Sequence, residues 1–278
     1  MPAANPIMQR VITALILAPL AIAAVLWLPT PEFALVFAVV VLLAAMEWAA
    51  LSGIGSMLGR LAYLALIAGL LLLLWLIPLQ DRSAYLLLLP VIWWLGITLF
   101  LFRVREVERC ATVDWMLVPI GFLVLLAPWA AMVRLHGVAD HGPALVLFLM
   151  VLIWVADSAA FFVGRAWGRT KLAPSLSPGK TLEGVYGALA GAALCGAALA
   201  WGLGSTGLPA LYPVLLCSLT AAISVVGDLF ESWLKRRRGV KDSGRLLPGH
   251  GGILDRIDSL TAAAPIFTLG ILWLESGL

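Results

Sequence analysis

Long apolar runs with few charges alternate with short polar breaks along this chain. A helix needs about 20 apolar residues to cross a hydrocarbon core, and runs of that kind fall at 11 to 28, 33 to 51, 58 to 79, 83 to 102, 115 to 134, 143 to 163, 184 to 203, 209 to 229 and 257 to 275. They lack the two-residue alternation of a membrane-barrel strand, and backbone groups in lipid must pair within their own segment, so each run is read as a helix. The expected fold is an all-α integral membrane bundle of about nine transmembrane helices. The first run follows Arg10 and precedes Pro29, as in a secretory leader. It is longer than a usual leader core, has no small-x-small cleavage site and leads straight into a second run, so a retained helix is expected.

Composition agrees. Of 278 residues 63% are hydrophobic and 12% charged, against about 25% charged in a soluble domain, and mean hydropathy is +1.05. Most of the chain is expected to sit in lipid, and no nucleic-acid partner is expected. Cys110, Cys195 and Cys217 form no CxxC pair, which argues against a disulfide framework or a zinc site.

The formal charge of +3 is small, but its placement orients the chain. With nine spans and a cytoplasmic N-terminus, Arg82 and Arg134 alone among the 18 Lys and Arg residues fall outside. That asymmetry satisfies the positive-inside rule, so the C-terminus is expected outside and both basic loops, 164–183 and 231–257, in the cytoplasm. The RVREVER loop at 103–109, neutralised in part by its own acids, is read as a topological signal.

Polar chemistry divides the chain. Residues 1–140 contain few ionisable groups within their spans and are read as a scaffold of about five helices; residues 141–278 are read as the catalytic half. Glu47, an acid within an apolar run, reads equally well as a functional group or as a residue tolerated near a span end. Asp157, Phe161 and Gly164 share one helical face by their spacing of four and three. Beyond them, Ser177, Lys180 and Thr181 stand where the next helix begins, a position suited to an anion because helix N-termini carry free amides and a positive dipole. Capping alone would account for Thr181. The Gly-Lys-Thr run at 179–181 lacks the upstream glycine of a P-loop, since position 174 is Pro.

The densest cluster is SWLKRRRGVKDSGRLLPGHGGILDRID at 232–258. Asp228, Glu231, Ser232 and Lys235 are spaced to share one face of the helix leading into it. Lys241 and Asp242 follow, and then a turn carrying His250, Gly251 and Gly252 whose amides can approach a ligand closely. Asp255 and Asp258 lie one turn apart, with Arg256 between them. Hard carboxylate oxygens beside cations suit Mg²⁺ holding a phosphate, and phosphoryl or nucleotidyl transfer chiefly needs such positioning and charge neutralisation. His250 is read first as a phosphate contact, with acid–base or structural hydrogen bonding as alternatives.

The defined positions of that cluster, from Ser232, Lys235 and Arg236 through Lys241, Asp242, His250, Gly251, Gly252 and Asp255 to Asp258, match the signature of the phosphatidate cytidylyltransferases. The chain resembles that family. The stretch ADSAAFFVGRAWGRTKLAPSLSPGKTLEG at 156–184 is also similar, with Arg169 and Gly179 where lysine is common. The resemblance implies that CTP and phosphatidic acid give CDP-diacylglycerol and pyrophosphate in phospholipid biosynthesis, at the cytoplasmic surface of the inner membrane. It implies Mg²⁺ and a monovalent cation such as K⁺, metal sites at Asp228 and Asp255 with Asp258 nearby, and a homodimer. Lys180, Lys235, Arg236, Lys241 and Arg256 are then expected to neutralise phosphates. The rivals are a CTP-dependent kinase or cytidylyltransferase of another lipid, of isoprenoid type, and an anion or Mg²⁺ transporter. A transporter places its charges near the membrane midplane, whereas these cluster at one face.

Overall fold

The computed structural model describes residues 6–77 and 83–275. Among the described residues there are nine α-helices: α1 (Pro6–Trp27), α2 (Thr30–Leu51), α3 (Met57–Leu76), α4 (Ser83–Arg103), α5 (Leu117–His136), α6 (Gly142–Trp167), α7 (Leu182–Gly202), α8 (Leu211–Arg238) and α9 (Leu254–Glu275). Between α6 and α7 stand two short strands, β1 (Lys171–Ala173) and β2 (Ser177–Thr181). The chain is a helical integral membrane protein. Among the described residues seven helices, all but α1 and α4, are long and apolar enough to cross a membrane; the shorter apolar stretches Val11–Trp27 and Leu87–Arg103 lie in the other two.

Local chemistry sets the helix ends. Ser56 opens α3 by accepting from Gly59 N at 3.1 Å, and Thr181 opens α7 by accepting from Gly184 N at 3.1 Å. α8 stops at Gly239, whose left-handed backbone, φ 73°, carries little penalty for glycine. The segment expected as a plain loop before α7 is an antiparallel hairpin with Lys171 opposite Thr181 and Ala173 opposite Ser177. A two-residue period is hard to read in a stretch broken by Pro174 and Pro178.

Packing in lipid relies on small residues and close backbones. A Cβ on Gly184 would lie 2.9 Å from the Ala160 carbonyl of α6, one on Gly187 would strike Val163, and one on Gly227 of α8 would lie 2.6 Å from the Asp258 carbonyl of α9. Tryptophans link other pairs through their indole donors: Trp48 Nε1 donates to Leu117 O at 2.9 Å, Trp129 Nε1 to Ala34 O at 2.9 Å and Trp94 Nε1 to Thr261 O at 3.2 Å. Of its most apolar window, α9 has 67% buried against 17% for α3, so α9 is the central helix and α3 is peripheral.

One end of the bundle gathers the basic loops. Arg238 donates to Leu51 O at 3.0 Å, Cys110 O at 2.8 Å and Thr112 O at 3.1 Å, and Arg237 Nε donates to Asp114 Oδ2 at 2.7 Å. Asp114 N donates to Ser52 O at 2.8 Å, joining the α2–α3 and α4–α5 connections. At the opposite end His136 meets Thr30 Oγ1 at 3.0 Å and Val25 O at 2.9 Å. The connections after α2, α4, α6 and α8 therefore share one end. Arg82, expected opposite, lies outside the described residues.

Candidate active site

At that polar end a cavity of about 430 Å³ opens between α6, the hairpin, α7 and α8. Asp157, Phe161, Gly164 and Arg165 of α6, Ser177, Lys180 and Thr181 of the hairpin, and Asp228 of α8 line it. Asp157, Phe161 and Gly164 thus share a face, in keeping with their spacing. Lys180 Nζ lies 2.6 Å from Asp228 Oδ2, with the two side chains 25% and 30% exposed, so the pair is open to a ligand from water. Phe161 is 59% exposed and Phe162 beside it 66%, which gives the cavity an apolar outer lip next to lipid.

The hairpin is held by the protein's own acids and cations. Glu183 accepts from Arg169 N at 3.1 Å and from Thr170 N at 3.1 Å. Arg236 Nε donates to Leu176 O at 3.4 Å and its Nη1 to Val240 O at 3.1 Å, tying the hairpin turn to the end of α8. The Thr181 hydroxyl is committed to its cap, while Lys180 one residue earlier is directed at Asp228.

Behind the cavity lies a second, drier layer on α8 and α9. The face predicted for α8 is present: Ser232 Oγ donates to Asp228 Oδ1 at 3.4 Å, and Lys235 Nζ lies 3.4 Å from Glu231 Oε1. Lys235 also donates to Asp255 Oδ1 at 2.7 Å. The other Asp255 oxygen accepts from Ser243 N at 2.9 Å and Gly252 N at 2.8 Å, so it holds the turn before α9 while the first joins α9 to α8. Asp258 Oδ1 accepts from Ser259 N at 2.7 Å, and its backbone carbonyl lies against Gly227, the neighbour of Asp228. Glu231 is 3% exposed and its carboxylate oxygens have no hydrogen-bond partner.

Asp157, Ser177, Lys180, Thr181 and Asp228 therefore meet at the cavity, and Ser232, Lys235, Asp255 and Asp258 form the layer behind it. Arg236 braces the hairpin. Lys241, Asp242 and Arg256 are exposed on or beside the α8–α9 loop and do not line the cavity. His250 donates its backbone amide to Leu247 O at 2.9 Å, and its Nδ1 is buried without a partner. Gly251 closes that turn at φ 82°, and Gly252 supplies the amide for Asp255. Sequence reasoning gave no role to Ser243 and left Glu47 open. Both face the loop before α9, where Ser243 Oγ donates to Glu47 Oε2 at 2.8 Å. Ser243 carried no signal, since one serine among polar loop residues resembles any other.

The donor chemistry fits a hard divalent ion at Asp228. Mg²⁺ uses one or two carboxylates and leaves its other positions to water and phosphate, and Asp228 has the exposure to provide this, with Asp157 also on the cavity wall. Among the described residues no three His, Cys, Asp or Glu side chains form a complete protein cage. Asp255 is already engaged by an ammonium and two amides.

The chain is matched by sequence to a known family across almost its whole length. The profile of the cytidylyltransferase family covers residues 8–273. The chain belongs to the cytidylyltransferase family. It is 42% identical over 265 residues to a Pseudomonas aeruginosa protein named phosphatidate cytidylyltransferase, covering 95% of this chain and 96% of that one. A Haemophilus influenzae protein of the same name is 38% identical, with 94% of this chain and 96% of that one covered. A Bacillus subtilis protein of that name is 38% identical over 52% of this chain and 56% of its own. Family membership explains why carboxylates and cations converge while no nucleophile–base pair is required: nucleotidyl transfer is carried by charge placement.

Proposed function

We propose that the chain transfers the cytidylyl group of CTP to phosphatidic acid, giving CDP-diacylglycerol and pyrophosphate. The observation that carries this reading is the cavity holding Lys180 and Asp228, polar at its mouth and bounded by exposed Phe161, where a water-borne nucleotide and a two-chain lipid phosphate can meet. A phosphate oxygen of phosphatidic acid attacks the α-phosphorus of CTP. The bond from that phosphorus to the bridging oxygen of the β-phosphate breaks, and pyrophosphate leaves with the electron pair. The lipid phosphate is ionised near neutral pH, so no strong general base is needed.

Lys180 and Arg165 at the cavity supply positive charge to the phosphates. Asp228 would hold Mg²⁺, with Asp258 and Asp255 as the acidic wall behind, and the ion would supply charge neutralisation for the leaving group. A monovalent cation such as K⁺ rests on the family resemblance. Ser232 orients Asp228, and Lys235 orients Asp255.

The same reading takes α1 and α4 as membrane-crossing, giving nine spans with the N-terminus in the cytoplasm, the C-terminus outside, and the site at the cytoplasmic face of the inner membrane. The gathering of the basic loops at one end supports that orientation. A homodimer rests on the family resemblance.

The test uses purified protein with phosphatidic acid, Mg²⁺ and each nucleoside triphosphate in turn. A CDP-lipid and pyrophosphate formed with CTP or its deoxy form alone is the expected result. No lipid product with any nucleotide would overturn the proposal.

A further inference from the structure

Glu47 stands on α2, in the half of the chain that composition marks as scaffold, yet its carboxylate is 8% exposed and reaches the loop before α9. Oε1 accepts from Ile253 N at 3.0 Å; Oε2 accepts from Leu254 N at 2.9 Å and from Ser243 Oγ at 2.8 Å. α9 begins at Leu254, and the residue before it, Ile253, has no side-chain acceptor for the free amides of the first turn. Glu47 supplies that cap from another helix. Among the described residues it has no cation within ion-pair distance, so the three donors and the positive end of α9 balance its charge.

Two glycines of the α8–α9 loop, Gly244 and Gly252, are explained by this approach. A Cβ on Gly252 would strike Glu47 Oε2 and Ser243 Oγ, and one on Gly244 would strike Glu47 Oε1. Ser243 then passes the constraint onward. Its hydroxyl accepts from Asp255 N at 3.3 Å while donating to Glu47, and its own amide donates to Asp255 Oδ2. Asp255 Oδ1 in turn meets Lys235.

We propose that Glu47 is a positioning residue for the transfer reaction: from α2 it clamps the turn before α9 and, through Ser243, sets the orientation of Asp255. This rests on the reading of Asp255 and Asp258 as the acidic wall of the site. Outer partners of this kind are worth about 10- to 100-fold in metal affinity or activity when removed.

The experiment compares the full-length protein with Glu47→Ala, Glu47→Gln and Ser243→Ala variants, and with Glu32→Gln on the exposed start of α2 as control. Amide exchange over 243–254, the Mg²⁺ concentration for half-maximal turnover, and the melting temperature are measured together. In Glu47→Ala the amides of Ile253 and Leu254 are expected to exchange roughly 3- to 30-fold faster, as for a lost helix cap. Those of the hairpin at 171–181 should be unchanged. Turnover should fall about 10- to 100-fold with a rise in half-activating Mg²⁺. Glu47→Gln, which retains one acceptor oxygen, should recover part of both, and Glu32→Gln should match the unaltered chain.

Unchanged exchange at 253 and 254 in Glu47→Ala overturns the clamp. An unshifted Mg²⁺ curve, with turnover lost only in proportion to unfolded protein, overturns the positioning role. Absence of CDP-lipid from the unaltered chain overturns the reaction instead, and the exchange measurement still decides the clamp.

Discussion

Lys180 Nζ and Asp228 Oδ2 lie 2.6 Å apart across the seam between the hairpin and α8, and both side chains are reachable from water. A pair this wet contributes little to stability, on the order of 0–1 kcal/mol. Its value lies in placing one cation and one anion on the wall of a single cavity. Lys180→Ala is expected to leave the melting temperature nearly unchanged while lowering CTP-dependent turnover by about 10²-fold or more, the scale for losing one preorganised charge donor. Parallel melting and turnover assays on the purified variant check this.

Lys235 behaves in the opposite way. It is buried between Asp255 at 2.7 Å and Glu231 at 3.4 Å. Replacing it with methionine leaves two carboxylates facing each other without a cation, which costs about 3–5 kcal/mol by the scale for breaking a buried pair. Lys235→Met should therefore show a large drop in melting temperature as well as lost turnover. Denaturation in detergent, followed by helical signal, reads the first effect separately.

Asp228→Asn keeps the shape of the side chain and its contact with Ser232 but removes the charge. Turnover should become dependent on much higher Mg²⁺, and chelation of divalent ions should abolish activity in the unaltered chain, with recovery on adding Mg²⁺ back. A Mg²⁺ titration of both proteins checks this. Unchanged Mg²⁺ dependence in Asp228→Asn would remove Asp228 from the metal site.

Gly184 lies where α7 passes α6, with space for a Cβ only 2.9 Å from the Ala160 carbonyl. Gly184→Leu is expected to push α7 away from α6 and widen the cavity. The cost of overpacking is about 1–3 kcal/mol, and turnover should fall because Lys180 and Asp157 move apart. Cysteine cross-linking between α6 and α7 would report the displacement.

Much of this was legible in the chain. The nine apolar runs correspond to nine helices among the described residues, and seven of these are long and apolar enough to cross a membrane, where a helix lets a segment satisfy its own backbone. The shared faces of Asp157 with Phe161, and of Asp228 with Ser232 and Lys235, followed from helical spacing alone. The hairpin at 171–181 was missed because prolines mask its short period. Glu47 was undecidable from sequence, since its partners lie 196 to 207 positions away and nothing in AAMEWAA indicates whether the acid meets a headgroup, a cation or a backbone. The pairing of Asp255 with Lys235 was hidden for the same reason: both were expected at the site, but sequence could not say that they would hold each other.

The reach of Glu47 across 206 residues also bears on biosynthesis. At about 5–20 residues per second, α2 is made roughly 10–40 seconds before the amides that its carboxylate will cap. During that interval the acid must stay hydrated or find other donors in an incomplete bundle, and the turn that carries Asp255 cannot settle until the last helix enters. A chain stopped short of α9 would hold the cavity lining of α6 to α8 yet lack Asp255 and the amides that Glu47 caps.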